Sequence, residues 1–199
     1  MNKSIISLPI DEQLWERVYM AHSLVVIGSK CDGGYDLAPK HMAIPLGWEN
    51  YFGFICTPRH QTYHNIKKYN SFTVSYPRPD SVVLASITAA PRCGSASGGK
   101  PIVDAVSTMP STVVDGIFIE AGYCFFECEL DRVVDGFGGN SLIAGKIVAM
   151  HVDKEAVRIE GADNHQLLQN YPLMVYLYPD RYAVLEESNR FPFPMGFKR

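Results

Sequence analysis

Tyr51-Phe-Gly-Phe-Ile-Cys56, Thr57-Pro-Arg-His-Gln-Thr-Tyr-His-Asn-Ile-Lys-Lys-Tyr69 and Ser71-Phe-Thr-Val-Ser-Tyr76 follow one another almost without interruption. The first and last pieces have strand length and are rich in aromatic and β-branched residues, so each predicts a β-strand. In the middle piece, Thr57 is a good helix cap and Pro58 suits the first helical position, which predicts a helix from there to about Tyr69. The stretch therefore predicts a strand, a helix and a second strand.

The rest of the chain mostly predicts short β-strands. The apolar run Ser23–Ser29 precedes a turn signal, so Leu37–Leu46 is expected to return as its hairpin partner. Pro39 and Pro45 within that partner favour an edge or bulged strand. Further strands are expected at 117–120, 123–134, 142–152, 157–159, 173–178 and 182–185. Short strands at this spacing, with two or three helices, predict a mainly β protein built on a barrel.

Length and composition favour one domain, residues 1–199. The chain has 47% apolar residues and a net charge of -3, so it lacks the basic surface that nucleic-acid binding requires. No apolar run reaches the roughly 18 residues of a membrane span. Five cysteines at irregular spacings are expected to be reduced thiols, which favours a cytoplasmic protein.

The junction between the predicted strand and helix, Cys56–Thr62, is the first candidate site. The N–H groups and the dipole at a helix start favour an anion. Arg59 adds a fixed positive fork, His60 a donor and Thr62 a hydroxyl, and a phosphate fits this chemistry. The alternative is an ordinary capped helix with an exposed Arg59 and His60, and the spacing alone favours that alternative.

The second candidate site is Asp36–Met42. Pro39 supplies no backbone donor, Lys40 and His41 are polar, and a bulged strand offers backbone groups to a ligand. The alternative is an edge strand protected by its proline and lysine, which the pattern alone favours. His60 and His64 lie four apart on the predicted helix without an acidic third ligand nearby, so no metal site is expected.

The C-terminal residues, about 186–199, form an aromatic arm that includes Phe191-Pro-Phe-Pro-Met-Gly-Phe197. The prolines exclude a helix, and three phenylalanines need cover. We expect this arm to pack on the barrel or on a partner subunit.

Taken in order, these pieces resemble the flavin reductase-like family of FMN-binding split barrels. The likeness is clearest in Thr62-Tyr-His-Asn-Ile66 followed by the strand Ser71-Phe-Thr-Val74. It covers roughly residues 18–155, and the other segments that carry it are Leu24–Ser29, Asp36–His41, Phe52–Cys56, Glu127–Asp131 and Leu142–Val148.

This resemblance implies a six-stranded antiparallel Greek-key split barrel with a few flanking helices, a homodimer, and FMN near the dimer interface. It places the flavin phosphate at Thr57–Thr62, and the ring along Pro39–Met42 and Cys56. Lys100 would approach the phosphate. The implied cofactor-binding residues are Asp36, Pro39, Lys40, His41, Met42, Cys56, Thr57, Arg59, His60, Gln61, Thr62, Asn65 and Lys100.

The implied activity is that of an NAD(P)H-dependent flavin reductase. NADH or NADPH would give hydride to FMN, which would pass it to free flavin or to another acceptor, including a protein. The flavin carries this chemistry, so no catalytic side chain is expected. Two alternatives stay open: a non-enzymatic, flavoredoxin-like FMN electron carrier, and a barrel that binds another phosphorylated ligand.

The chain departs from the family pattern at two places. Asp36 stands where members often have Asn, which would put a carboxylate near the flavin. Asn140 and Ser141 stand where many members carry a His that is used near the nicotinamide. The resemblance therefore supports flavin binding better than NAD(P)H oxidation.

Overall fold

A computed structural model describes residues 4–90, 100–160 and 164–196. The helices of this part are α1 Gln61–Tyr69, α2 Val82–Ile87, α3 Pro101–Ala105 and α4 His165–Asn170, and none has the length and apolar character to cross a membrane. The strands are β1 Ala21–Ser23, β2 Val25–Cys31, β3 Gly34–Lys40, β4 Ala43–Pro45, β5 Tyr51–Cys56, β6 Ser71–Pro77, β7 Thr108–Pro110, β8 Ile117–Ile119, β9 Gly122–Phe137, β10 Asn140–Val152, β11 Leu173–Leu177 and β12 Arg181–Leu185.

One curled antiparallel sheet dominates the fold, with the strand order β3-β2-β6-β9-β10-β5-β4. The ends of β3 and β5 approach each other, because the side chains of Lys40 and Cys56 are in contact. Two smaller sheets, β1-β11-β12 and β7-β8, accompany it. The expectation of a mainly β split barrel with few helices is confirmed, but the main sheet has seven strands rather than six.

The extra strand comes from the segment expected to be one hairpin partner, 37–46. The chain bends at His41 and Met42 and changes its partner there. Before the bend β3 pairs with β2, and after it β4 pairs with β5. β3 and β4 are the two edge strands of the sheet. Pro39 and Pro45 have no backbone N–H, and at an edge this removes no hydrogen bond between central strands. The edge-strand prediction is therefore confirmed.

Strand β2 begins with an apolar run, Val25–Gly28, because both faces of the strand are buried there. Ile27 packs inside the barrel with Phe54 and Phe72, whereas Val26 belongs to a second apolar cluster on the other side of the sheet. Gly28 allows β8 to cross closely, since a Cβ at this position would lie 2.3 Å from the Ile117 carbonyl oxygen. Burial on two faces explains a continuous apolar run in place of alternation.

Helix α1 confirms the predicted helix but begins at Gln61, three residues later than expected. Residues 57–60 form a turn instead, in which the His60 N–H donates to the Thr57 carbonyl at 2.9 Å. The buried side chains of Tyr63 and Ile66 pack in the barrel core. The helix ends at Asn70, whose left-handed backbone returns the chain into β6.

The described residues of the C-terminal arm, 186–196, are exposed. Phe191 and Phe193 contact each other, with ring centroids 4.6 Å apart, and are 71% and 44% exposed. The expectation that the arm packs on the barrel or on a partner subunit therefore stays a prediction. The strand expected at 157–159 is wrong, because these residues follow a 3-10 turn without pairing.

Glu127 on β9 is a fully buried carboxylate that organises the loop before β8. It accepts hydrogen bonds from the N–H groups of Thr112, Val113 and Val114 at 2.6 to 2.8 Å, and His151 Nε2 lies 2.8 Å away. Burial alone would raise the pKa of Glu127, but the N–H groups and His151 overcome it and lower that pKa to about 2. The charged form thus holds the loop against the sheet.

Glu127→Gln should lower the free energy of unfolding at pH 7 by about 3 kcal/mol, because the carboxylate pKa is depressed on folding. This stabilisation is complete above the unfolded pKa, near 4.5, and is lost as the pH falls toward 2. Urea unfolding of both proteins between pH 7 and pH 3 should show the difference shrinking with acid. Glu129→Gln, on an exposed site of the same strand, is the control. Equal stability of the Glu127→Gln variant and the parent protein at pH 7 would contradict the assignment.

Candidate functional site

A cleft of about 580 Å³ opens beside the start of α1. One wall is the turn before the helix and the other is the tip of the β9–β10 hairpin. The lining residues are Thr57, Pro58, Arg59, Tyr63, Asp135, Gly136, Gly138, Gly139, Asn140 and Ser141. Of the predicted site residues, the cleft thus collects Thr57 and the exposed Arg59.

Asp135 is a cleft residue that sequence reasoning missed. Its Oδ1 accepts hydrogen bonds from the Ser141 hydroxyl at 2.6 Å and the Tyr63 hydroxyl at 3.0 Å, and these bonds lower its pKa. The cleft therefore carries a negative charge opposite the positive Arg59. Of this wall, only Asn140 and Ser141 were noted from the sequence, as a departure from the family pattern.

The hairpin reaches the cleft because β10 pairs with β5. Ser141 lies directly opposite Cys56 in that pairing, so the residues just before it lie beside the turn that follows Cys56. This juxtaposition joins segments that are far apart along the chain, and local sequence spacing contains no sign of it. The hydrogen bond from the Tyr63 hydroxyl to Asp135 depends on the same pairing.

A buried ion pair lies behind the helix start. The Asp36 side chain is 3% exposed, and its Oδ1 is 2.8 Å from Lys100 Nζ. The Thr62 hydroxyl donates to its Oδ2 at 3.1 Å. Lys100 Nζ also donates to the carbonyl oxygens of Leu37 and Thr88, at 2.8 and 3.2 Å. Lys100 therefore matches the charge of Asp36, although Asp36 Oδ1 accepts no hydrogen bond in the described part of the chain. These three predicted site residues, Asp36, Thr62 and Lys100, lie together away from the cleft lining, and we call them the Asp36 lock.

Two further predicted residues also attach the helix to the sheet. The Asn65 side-chain amide donates to the Ser29 hydroxyl on β2 at 3.2 Å, and both residues are buried. Gln61 donates to the Asn65 side-chain oxygen at 2.9 Å. Asn65 thus faces the sheet, and Gln61 holds it in that orientation.

Lys40, Cys56 and His60 form a compact cluster, which we call the Lys40 cluster. Lys40 is only 7% exposed, and its ammonium lies 3.5 Å from Cys56 Sγ and 3.2 Å from His60 Nδ1. Each member comes from a different element: the end of β3, the end of β5 and the cap of α1. The cluster therefore puts a positive charge at the point where both candidate segments meet.

His41, at the bend after β3, stacks on the three-stranded sheet β1-β11-β12. Its ring lies 4.4 Å from the Tyr176 ring at an angle of 28°, with Tyr178 at 5.8 Å. Burial, and then the neighbouring His22 and Lys40, lower the pKa of His41. The remaining predicted residues flank this contact: Pro39 is partly buried in β3, and the Met42 carbonyl accepts from the Ile55 N–H at 2.9 Å.

The structure thus divides the predicted site into a cleft wall, the Asp36 lock, the Lys40 cluster and the His41 stack. All four surround the start of α1 or the bend at 41–42, but only the cleft wall is open. Within the described ranges, no three His, Cys, Asp or Glu side chains lie close enough to hold a metal ion.

Lys100→Met should destabilise the protein by about 3–5 kcal/mol, because it leaves the buried Asp36 carboxylate without its cation. Adding Asp36→Asn should restore part of that loss, since the amide carries no charge and still accepts from Thr62. A double-mutant cycle by chemical denaturation measures the coupling. The exposed pair Lys30–Asp115, treated in the same way, should show much weaker coupling. Additive effects in the Asp36–Lys100 cycle would contradict the lock.

Several solved structures share this fold. Nitrilotriacetate monooxygenase component B from Bacillus cereus has a TM-score of 0.79 at 17% identity, covering 96% of this chain and 100% of that one. Flavoredoxin from Methanosarcina acetivorans has a TM-score of 0.74 at 16% identity, covering 98% of each chain. An FMN-binding protein from Thermus thermophilus has a TM-score of 0.72 at 18% identity, covering 96% and 100%.

No functionally curated protein matches the sequence. The sequence pattern of the flavin reductase like domain, however, matches residues 17–184. That match spans the main sheet, the cleft, the Asp36 lock, the Lys40 cluster and the three-stranded sheet as far as β12. The chain therefore belongs to the flavin reductase-like family.

Proposed function

We propose that the chain binds FMN and works as an NAD(P)H-dependent flavin reductase, passing hydride through FMN to free flavin or to another acceptor. The observation that carries this proposal is the open cleft at the start of α1, with Arg59 in its wall, in a chain of this family. An anion at a helix start gains from the N–H groups and from the dipole. The flavin phosphate is the anion we assign to this place.

The residues present fit a phosphorylated aromatic ligand. A volume of about 580 Å³ lies within the range of small-molecule sites. Arg59 and Thr57 would hold the phosphate, and the buried Lys40 ammonium would add positive charge deeper in. His41 Nδ1 is buried with no hydrogen-bond partner in the described part of the chain, so it has capacity for a ligand beside the bend.

The Asp36 carboxylate does not oppose this assignment. Although it stands where the family often has an amide, its charge is matched by Lys100 at 2.8 Å and its second oxygen is occupied by Thr62. Asp135 is the carboxylate that lines the cleft, and it keeps the anion on the Arg59 side.

When bound, FMN would supply the hydride and electron transfer, and the protein would supply binding, orientation and electrostatics. Arg59 and the helix start would fix one end of the cofactor, while the bend at Pro39–Met42 would fix the other. The three-stranded sheet, stacked on His41 through Tyr176, would cover the bend and restrict water there.

A second candidate is the non-enzymatic FMN electron carrier, which exchanges electrons with a protein partner. Asn140 and Ser141 favour it, because the hydroxyl of Ser141 is already donated to Asp135 and neither residue replaces a nicotinamide-binding His. In both cases we expect a cytoplasmic homodimer, whose exposed C-terminal arms would supply apolar surface to the partner.

Arg59→Ala should weaken FMN binding about 10- to 150-fold, which corresponds to the roughly 1.5–3 kcal/mol of a hydrogen bond to a charged group. Fluorescence titration of FMN measures the loss. Arg158→Ala, an exposed arginine outside the cleft lining, is the control and should bind like the parent. Unchanged FMN affinity in the Arg59 variant would show that the phosphate does not bind at the helix start.

The purified protein, loaded with FMN, should be yellow with an absorbance band near ~450 nm from the bound flavin. Under anaerobic conditions, NADH or NADPH should bleach this band rapidly if the protein is the reductase. If dithionite bleaches the band but neither NADH nor NADPH does, the reductase hypothesis is wrong and the electron-carrier hypothesis takes its place. A colourless protein that does not bind added FMN would exclude both, leaving a barrel for another phosphorylated ligand.

A further inference from the structure

The Lys40 cluster brings an amine, a thiol and an imidazole into direct contact. Lys40 Nζ lies 3.5 Å from Cys56 Sγ, and His60 Nδ1 lies 3.2 Å from the amine and 4.0 Å from the sulfur. Cys56 and Lys40 are 2% and 7% exposed, so the contact is held in place by packing. Such a contact has reactive chemistry that neither FMN binding nor hydride transfer uses.

The contact also joins two strands of the main sheet that are not neighbours. Lys40 ends β3, one edge strand of the main sheet, and Cys56 ends β5, which lies next to the other edge strand. These strands do not pair with each other, so the side chains meet across the seam where the curled sheet closes. A covalent bond there would tie the two edges of the sheet together.

We propose that Lys40 and Cys56 form a sulfur–nitrogen crosslink when the protein is exposed to hydrogen peroxide. A nearby ammonium stabilises a thiolate, and the thiolate is the form that peroxide oxidises. The Lys40 ammonium, 3.5 Å from Cys56 Sγ, places a positive charge beside that sulfur. The site is thus a redox modification site, and it does not depend on bound flavin.

The reaction balances in two steps. In the first, the Cys56 thiolate attacks hydrogen peroxide, breaks the O–O bond and becomes the sulfenic acid, releasing hydroxide; sulfur is oxidised by two electrons and peroxide is reduced. In the second, the neutral Lys40 amine attacks the sulfenic sulfur, the S–N bond forms, and the sulfenic oxygen leaves as water. Before the attack, His60 Nδ1 accepts a proton from the Lys40 ammonium, and that proton departs with the leaving hydroxyl as water. The nitrogen loses a second proton once the S–N bond has formed, and the hydroxide released in the first step takes it up as a second water.

The other described cysteines lack this environment. Burial raises the pKa of Cys124 to about 11 and raises that of Cys128 further, while burial and the charge of Asp36 raise that of Cys31. Each of them is therefore held as the thiol, which reacts slowly. Peroxide should select Cys56 among these four.

The crosslink would have two consequences. It would fix the seam at the ends of β3 and β5, and it would replace the Lys40 ammonium by a neutral nitrogen behind the cleft. Loss of a buried cation weakens binding of any anion there. Oxidation should therefore lower the affinity of the cleft for a phosphorylated ligand, whichever ligand that is.

The test treats the flavin-free protein with hydrogen peroxide and measures the intact mass and the tryptic peptides. The crosslinked protein should have lost two hydrogen atoms, and trypsin should no longer cleave between Lys40 and His41. Dithiothreitol should reverse both changes. Because no flavin is present, the outcome is separate from the proposed function.

Two variants isolate the bond. Lys40→Arg keeps the cation but lacks the amine, so Cys56 should then accumulate as sulfenic acid, which dimedone labels, without loss of two hydrogen atoms. Cys56→Ser should lose both the label and the crosslink. The proposal is overturned if the parent protein gives a dimedone adduct at Cys56 with normal cleavage after Lys40. It is equally overturned if Cys56 stays reduced, or if Lys40→Arg loses the two hydrogen atoms, since that marks a disulfide.

Discussion

The buried Asp36 carboxylate is the constraint on which the site depends. A charge with 3% side-chain exposure must be matched, and it is matched by Lys100 from the segment before α3 and by Thr62 from α1. The carboxylate thereby ties an edge strand, the cleft helix and a distant segment to one point. With Asn65 attached to Ser29, this fixes where α1 begins, and so where its N–H groups and Arg59 point.

The electrostatics of the site follow from which charges are matched. Asp36 and Lys100 neutralise each other inside, so neither acts on a ligand in the cleft. Arg59 and Lys40 remain as positive charges on the β5–α1 side, and Asp135 as a negative charge on the hairpin side. This separation of charge favours a ligand whose anionic group lies at the helix start and whose remainder extends along the bend at 41–42.

Local patterns predicted the elements and failed where distant segments meet. The strand–helix–strand order of 51–76 is readable because apolar spacing is a local signal, although the helix begins at Gln61 and not at the Thr-Pro pair. Pro39 and Pro45 correctly marked edge strands, but nothing near them showed that the chain changes partner at His41 and so adds a seventh strand. Arg59, predicted at the strand–helix junction, lies in the cleft wall, whereas Asp135 was missed because only the β10–β5 pairing brings it there. Lys100 was placed near the phosphate, yet its ammonium is used by Asp36 and two carbonyls, a choice that depends on packing.

A crystal structure of the chain with FMN tests the central claim most directly, namely that the start of α1 is the anion site. The phosphate should lie at residues 57–62, within hydrogen-bond distance of Arg59 and of N–H groups at the helix start, with the Asp36 lock unchanged. A phosphate bound elsewhere, with Arg59 pointing into solvent, would contradict it.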